Sequence, residues 1–332
     1  MEQSRCKEVD IFKGLLIILV VVGHYDSDIV HDVIFLFHMP LFFIISGLLL
    51  KREHIMEGTK YIRTKIQNLM IPYSVYLIID LFLIRRDYAV GSIVRALWGG
   101  RAVPGVYWYI TCFLFSLILF FGLLRKFSDK TVKRVILIFG GGGGVIESHI
   151  VEKVHFLQSP GIPWNLDVSL IALVYVGIGF FYKDKIKNLL ESDSRKYDAV
   201  AGVTAFGLVM FSWFIYRDGN RLYYFDMKPA YYKELLLAVL IPCAFGIVFA
   251  RFAYWLEKEK YFEILKRFLY LCGRATIPIM FMHVPLNHWK DCVGYGRLEY
   301  MVIGIGIPLM IIFAFNENSV MRKVLGIPKL NR

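Results

Sequence analysis

The sequence predicts an all-α fold, a polytopic membrane bundle of about ten transmembrane helices with both termini cytoplasmic. Three observations carry that expectation. Hydrophobic residues make up 57% of the 332 residues, aromatic residues 16% and charged residues only 20%, with a mean hydropathy of +0.54. Soluble domains sit near ~45–50% apolar and ~25% charged. The apolar residues fall into continuous runs of about 20, the length that crosses ~30 Å of hydrocarbon as a helix. None of these runs shows the alternation over ~10 residues that a β-barrel strand requires. An ordinary cytosolic enzyme, a disordered chain and a secreted disulfide scaffold are excluded. Cys112, Cys243 and Cys272 lie in apolar runs with Cys6 and Cys292 flanking them, so neither disulfides nor a zinc site is expected. The net charge of +12 needs no nucleic-acid partner, because the positive-inside rule accounts for basic loops on a lipid-embedded chain.

In chain order the spans are expected near 11–30, 32–50, 67–84, 106–124, 135–151, 166–182, 198–216, 234–250, 268–286 and 298–315. The chain reads as one transmembrane domain over 1–332, with no stretch long enough for a soluble unit. Arg5 and Lys7 ahead of the first apolar run could belong to a signal peptide. His24-Tyr25-Asp26 follows in place of a small-residue cleavage site, so the first span is expected to be retained. The fifth span contains GGGGG at 140–144 without the Lys-Ser/Thr of a phosphate loop, which suits close packing or a flexible break. Orientation follows from the loops. The N-terminus, 51–66, 125–134, 183–197, 251–267 and the C-terminal tail hold more than twice as many Lys and Arg as 85–105, 152–165, 217–233 and 287–297. A multi-pass protein of the cell membrane is the expectation, with the lipid bilayer as its constant partner.

The first hairpin carries the chemistry. Lys13 and His24 are eleven residues apart, about three turns with only ~20° of drift, so they share one stripe of the first helix. Ionisable groups within a span face a bundle interior or a wet cavity, although Lys13 could instead snorkel to the headgroups and His24 mark the interface. In the second span, VIFLFHMPLFFIISGLLL, a turn near His31 would bring His38 to the depth of His24. Histidine titrates near neutrality and accepts a proton from a hydroxyl, which suits general-base work; a satisfied structural role is the bland alternative. Pro40 is expected to bend this helix, and Ser46-Gly47 to permit close packing.

These residues resemble the start of the acyltransferase 3 family of bacterial integral-membrane O-acyltransferases, in particular the branch of sugar and polysaccharide O-acetylases. That family places a basic residue, usually Arg, eleven positions before a His, here Lys13 and His24. Asp10-x-x-Lys13-Gly14 and FHMPLFFIISG at 37–47 are similar to it, and Lys60-Tyr-Ile-Arg63 leading to Pro72-Tyr73 resembles its Arg-x-x-Arg element. Trp108-Tyr109 resembles the aromatic pair of a middle helix, and GRATIPIMFMHVPL at 273–286, with His283 and Pro285, resembles a late motif. Lysine at position 13 supplies a point charge where arginine would supply a fork.

The resemblance implies acetyl-CoA as acyl donor, no metal, and a glycan or glycolipid hydroxyl as acceptor. His24 would be the base or carry the acetyl group, and His38 would orient it or donate to the oxyanion. Asp10 would pair with Lys13 one turn away. Donor phosphates call for cations. Lys51, Arg52, Lys60, Arg63 and Lys65 crowd the cytoplasmic loop; the motif favours Lys60 and Arg63, with Lys13 and Arg274 as further candidates. Trp108, Tyr109 and His283 are expected on the acceptor side. The aromatic segments from Trp98 to Tyr109 and from Tyr223 to Tyr232 could stack on sugars or form an interfacial belt, and Asp80, Asp167 and Glu234 read as interfacial. The competing class is a transporter or flippase using the same intramembrane Lys and His without acyl transfer. A sensor or scaffold with structural histidines is a third.

Overall fold

A backbone amide in hydrocarbon has no water to bond, so each apolar run closes its hydrogen bonds within itself as a helix. The computed structural model describes residues 6–217 and 223–330; Arg5 lies outside them. In chain order the principal helices are α1 (Lys7–Gly23), α2 (Ile29–Leu49), α3 (Thr59–Ile84), α4 (Trp108–Lys126) and α5 (Asp129–Val151). Then come α6 (Pro163–Phe181), α7 (Arg195–Tyr216), α8 (Leu235–Lys258), α9 (Glu263–Arg274), α10 (Thr276–Leu286) and α11 (Arg297–Phe315). Among the described residues the one β-type pairing is a bridge between Asp226 and Tyr231. The architecture is an all-α polytopic bundle. Among the described residues eight helices are long and apolar enough to cross a membrane, and α9 with α10 makes a ninth if that bent pair is one span.

Two elements differ from the sequence expectation. The first span ends at Gly23 rather than near 30, because Asp28 caps α2 by accepting from the backbone N–H of Val30 and His31. The hairpin therefore turns over 24–28, not near His31. The ninth span is not straight: α9 and α10 are bent by 85° at Ala275. Pro278 explains it, since it has no N–H to donate and its ring excludes the carbonyl four residues earlier, at Arg274. The same rule breaks α2 at Leu36–Phe37, four residues before Pro40, where Phe37 leaves the helical region at φ −140°. The glycine run continues as helix through α5 and packs closely, the first of its two expected readings: a Cβ added to Gly140 would lie 2.8 Å from the Leu170 carbonyl oxygen.

Helix α1 sits at the centre, packed against α2, α8, α9 and α10. Its contact with α9 is backbone on backbone. A Cβ added to Gly14 would lie 1.9 Å from the Leu269 carbonyl oxygen, and one added to Gly273 would lie 1.7 Å from that of Asp10. Helix α6 meets α2 the same way, with Gly47 against Val176 O and Gly179 against Ile44 O, at 2.1 and 1.9 Å. Small residues allow such approaches where lipid gives helices no hydrophobic reason to associate. At the periphery, α7 buries only Ala201 and Ile215 and leans on α8. Arg251 of α8 anchors it, pairing with Asp198 at 2.5 Å.

Gly14→Ala and Gly273→Ala are expected to destabilise the bundle by at least the upper end of the ~1–3 kcal/mol typical of overpacking. Gly142→Ala, which meets nothing within 4 Å, is expected to be neutral. Melting temperatures of the detergent-solubilised proteins check the contrast, and an unshifted Gly14→Ala would refute the packing account.

Candidate functional site

The stripe of α1 that faces inward runs Lys13, Ile17, Val20, His24, and these four residues line two cavities that meet end to end. The larger, of about 410 Å³, is bounded by Lys13 with Ser46, His54, Tyr61, Lys65 and Tyr109. The smaller, of about 60 Å³, is bounded by His24 and His38 with Trp108, Asp226 and Lys228. Ile17, Phe42 and Met280 belong to both and form the neck between them. Two further recesses open beside the larger cavity, one sharing Lys13 and Leu49 with it and the other His54. Lys51, Lys183 and Lys187 line both of these recesses. One face of the protein thus presents a basin of five lysines leading to the neck.

Three histidines converge beyond the neck. The ring of His24 lies 5.0 Å from that of His283 and 6.4 Å from that of His38, edge-on in both cases. Each ring bonds a carbonyl one turn back on its own helix: His24 Nδ1 to Val20 O at 2.7 Å, His38 Nδ1 to Ile34 O at 2.8 Å and His283 Nδ1 to Ile279 O at 2.9 Å. A carbonyl oxygen only accepts, so Nδ1 carries the proton in all three. Each neutral ring therefore keeps its lone pair on Nε2. His283 is fully buried, and its Nε2 has no partner among the described residues. His24 is less enclosed than the other two and lines the small cavity together with His38.

The turn between α1 and α2 is fastened from the other side of the bundle. Lys290 donates to Tyr25 O at 2.5 Å and pairs with Asp26 at 2.9 Å, while Arg297 pairs with Asp28 at 2.5 Å. His31 Nδ1–H donates to Gly23 O at 2.8 Å. The short run from Ile29 to Phe35 is thereby held over the end of α1, and the chain regains the depth of His24 at His38.

The remaining sequence candidates divide. Asp10 is buried and pairs with Lys13 at 3.0 Å. Trp108 and Tyr109 are buried and face different cavities, Trp108 the small one and Tyr109 the large one. Lys60 and Arg63 are exposed and line none of these cavities, whereas Lys65 lines the 410 Å³ one. Tyr61, Lys65 and Leu69 lie four residues apart and form the α3 stripe that faces it, and that spacing was available in the sequence. Arg274 is turned away, donating to Lys329 O and lying 5.7 Å from the Tyr270 ring. Asp80 and Asp167 are held in ion pairs, with Arg85 at 2.8 Å and Arg101 at 2.6 Å. Among the described residues no group of His, Cys, Asp or Glu is arranged to hold a metal, and Cys6, Cys112, Cys243, Cys272 and Cys292 are free thiols.

Asp226 and Lys228 reach the site from the 223–234 connection, where no intramembrane pattern marks them. Burial drives Asp226 up to about 6, against the hydrogen bond it accepts from the Lys228 amide. Burial likewise drives Lys228 down to about 8, with Asp226 opposing the shift and Arg85 adding to it. On the basic face, burial lowers Lys183 too, and Lys187 and Lys51 add to the effect. Perturbed groups gathered around a cleft are a mark of function.

A model of the acyltransferase domain family matches residues 7–217. No curated protein and no solved structure matches the chain.

The Lys228 ammonium gives a pH signature. Its folded value of about 8 lies below the ordinary 10.5, so over that interval the unfolded chain binds the extra proton and stability rises with pH. Relative to Lys228→Met, the melting temperature of the wild-type protein is expected to climb between pH 8 and 10. A difference that stays constant over that range would contradict the burial of the charge.

Proposed function

The chain belongs to the acyltransferase domain family and is a multi-pass membrane acyltransferase; from that premise we propose that it moves an acetyl group from cytosolic acetyl-CoA to a hydroxyl of a cell-surface glycan or glycolipid. The observation that carries this reading is the pair of cavities joined at Ile17, Phe42 and Met280, lysine-lined at one end and histidine-lined at the other. Such a passage lets a charged donor and a hydroxyl acceptor approach one imidazole from opposite sides of the membrane.

The basin suits the donor. Phosphates are held by ammonium groups as charge-assisted pairs, and Lys51, Lys183 and Lys187 line the recesses at its mouth. Lys13 and Lys65 stand further in, with Asp10 holding Lys13 in place at 3.0 Å. The 410 Å³ cavity, apolar apart from these groups and Ser46, His54, Tyr61, Tyr109 and Thr276, suits a pantetheine-like arm. The thioester would lie at the neck. His24 Nε2, on the far side, takes the proton of the acceptor hydroxyl as its oxygen attacks the thioester carbonyl. It returns that proton to the departing thiolate. His283 and His38 shape the pocket and fix the imidazole by edge contacts. The cytoplasmic entry of the donor follows the excess of Lys and Arg on the basic face.

The test is to incubate membranes carrying the protein with labelled acetyl-CoA and to follow both CoA release and label in glycan and lipid fractions. His24→Ala is expected to insert and fold normally and to transfer no acetyl group; transfer at the wild-type rate would refute the catalytic role. Transport of a glycan without CoA release would point to a flippase. Lys65→Ala is expected to raise the KM for acetyl-CoA about tenfold, the worth of one charge-assisted hydrogen bond. Lys60→Ala, on the exposed face of α3, is expected to change it little.

A further inference from the structure

The histidine cavity has a base, but its histidines cannot supply the opposite function. Acyl transfer places negative charge on the carbonyl oxygen, and a donor aimed at that oxygen is commonly the largest single contribution to rate. His24, His38 and His283 each commit Nδ1–H to a carbonyl of their own helix. Their Nε2 atoms are therefore acceptors while neutral. Lys13 and Lys65 line the other cavity, beyond the neck. Among the described residues the one cation that lines the histidine cavity is Lys228.

Much of the surrounding structure is spent on placing it. Residues 226–231 form a tight turn closed by reciprocal backbone bonds between Asp226 and Tyr231, at 3.0 and 2.8 Å, with Ala230 at φ 62°. The turn is buried at Phe225, Met227, Ala230 and Tyr232. Arg101 Nε and Asn165 Nδ2 both donate to the carbonyl of Lys228 itself, at 2.8 and 3.0 Å. Arg101 is in turn held by Asp167 at 2.6 Å and Glu147 at 3.3 Å. Ser148 donates to Ala230 O and accepts from the Tyr232 amide, and the Tyr232 hydroxyl donates to Glu147. The ammonium donates to Val103 O at 2.8 Å and Gly105 O at 3.1 Å. Those bonds use two of its three N–H groups. No side-chain carboxylate among the described residues lies within ion-pair distance of it. The cavity holds about 60 Å³, room for about two waters, and His24 and Lys228 both line it.

We propose that Lys228 is the oxyanion-stabilising catalytic residue of this acyl transfer, donating its third N–H to the carbonyl oxygen of the thioester. This rests on the acyl-transfer reading above. The acceptor O–H proton passes to His24 Nε2 while the new C–O bond forms, and the carbonyl π pair moves onto oxygen beside Lys228. When the carbonyl re-forms, the C–S bond breaks and the thiolate takes the proton back from His24. No oxidant, metal or further reactant enters.

The experiment uses the full chain in native membranes with labelled acetyl-CoA and their own acceptor, read as turnover at saturating donor. Lys228→Met is expected to lower turnover about 10²–10³-fold, the loss seen when one oxyanion donor is removed, with the KM for acetyl-CoA unchanged. Wild-type turnover is expected to fall above pH 8, where the ammonium loses its proton, and the residual activity of Lys228→Met to lack that limb. Asp226 and Arg85 act on Lys228, His24 and His38 share its cavity, and His31 and Tyr224 act on the adjoining Asp226. Asp226→Asn is therefore measured alongside and is expected to move the limb to lower pH. Turnover of Lys228→Met within threefold of wild type overturns the proposal. Should that variant fail to fold, a wild-type profile flat from pH 7 to 9.5 overturns it equally. An absence of any His24-dependent acetyl transfer in the wild type defeats the acyl-transfer reading instead.

Discussion

The contact on which the rest depends is the one between the backbones of α1 and α9, where Gly14 and Gly273 remove every atom that would keep the two helices apart. It fixes α1 by its main chain at the level of Asp10, Lys13 and Gly14. From there the stripe to His24 is set by helical geometry alone. Immediately past Gly273 the chain turns through 85° into α10, which carries His283 to 5.0 Å from His24. Gly304 closes the far side, where a Cβ would come within 3.1 Å of both Val21 and His283. The imidazoles make no hydrogen bonds to one another; each is tied to its own helix. Their convergence is a property of where the backbones run.

Two prolines do the complementary work. Pro40 and Pro278 each end a helix four residues earlier, at Leu36 and at Arg274, because the ring and the missing N–H forbid the turn between. Without those breaks α2 would continue as one straight helix past His38, and α9 would carry α10 away from α1. Broken helices inside membranes are tolerated where they are buried in protein or border a cavity. Both conditions hold here: the Phe37 side chain is buried, and His38 lines the histidine cavity.

How much of this the sequence announced depends on the kind of signal. Periodicity along a single helix is local, so the shared face of Lys13 and His24 and the pairing of Asp10 with Lys13 could be read from spacing. The depth of His38 was reached from a wrong turn position, because the cap at Asp28 and the break before Pro40 shift the chain in compensating ways. Lys60 and Arg63 stood out through a motif, yet lie on the exposed side of α3. The stripe of Tyr61, Lys65 and Leu69 was visible as period but indistinguishable from core packing until the neighbouring helices were in place. Lys228 was not legible at all. Its position comes from a turn clamped by Arg101, Asn165, Ser148 and Glu147, residues 63 to 127 positions away in sequence, and no local pattern encodes a contact of that range.

The neck of Ile17, Phe42 and Met280 gives these parts a common logic. If, as proposed, the protein joins a donor on one face to an acceptor on the other, a wide and polar passage would also leak protons and ions. The three apolar side chains that line both cavities offer water no hydrogen bond where the cavities join, and methionine among them is adaptable in shape. Exclusion of water from such a neck would strengthen every charge that faces it, so a single ammonium and a single imidazole in the small cavity would act more strongly than in solvent. The same exclusion makes those charges costly. Asp226 and Lys228, each pushed by burial towards its neutral form, are held only because the Arg101 network fixes the turn that bears them. In the proposed reaction a carbonyl carbon beyond the neck would meet a base and a cation whose positions are already fixed by the backbone, with little solvent to rearrange.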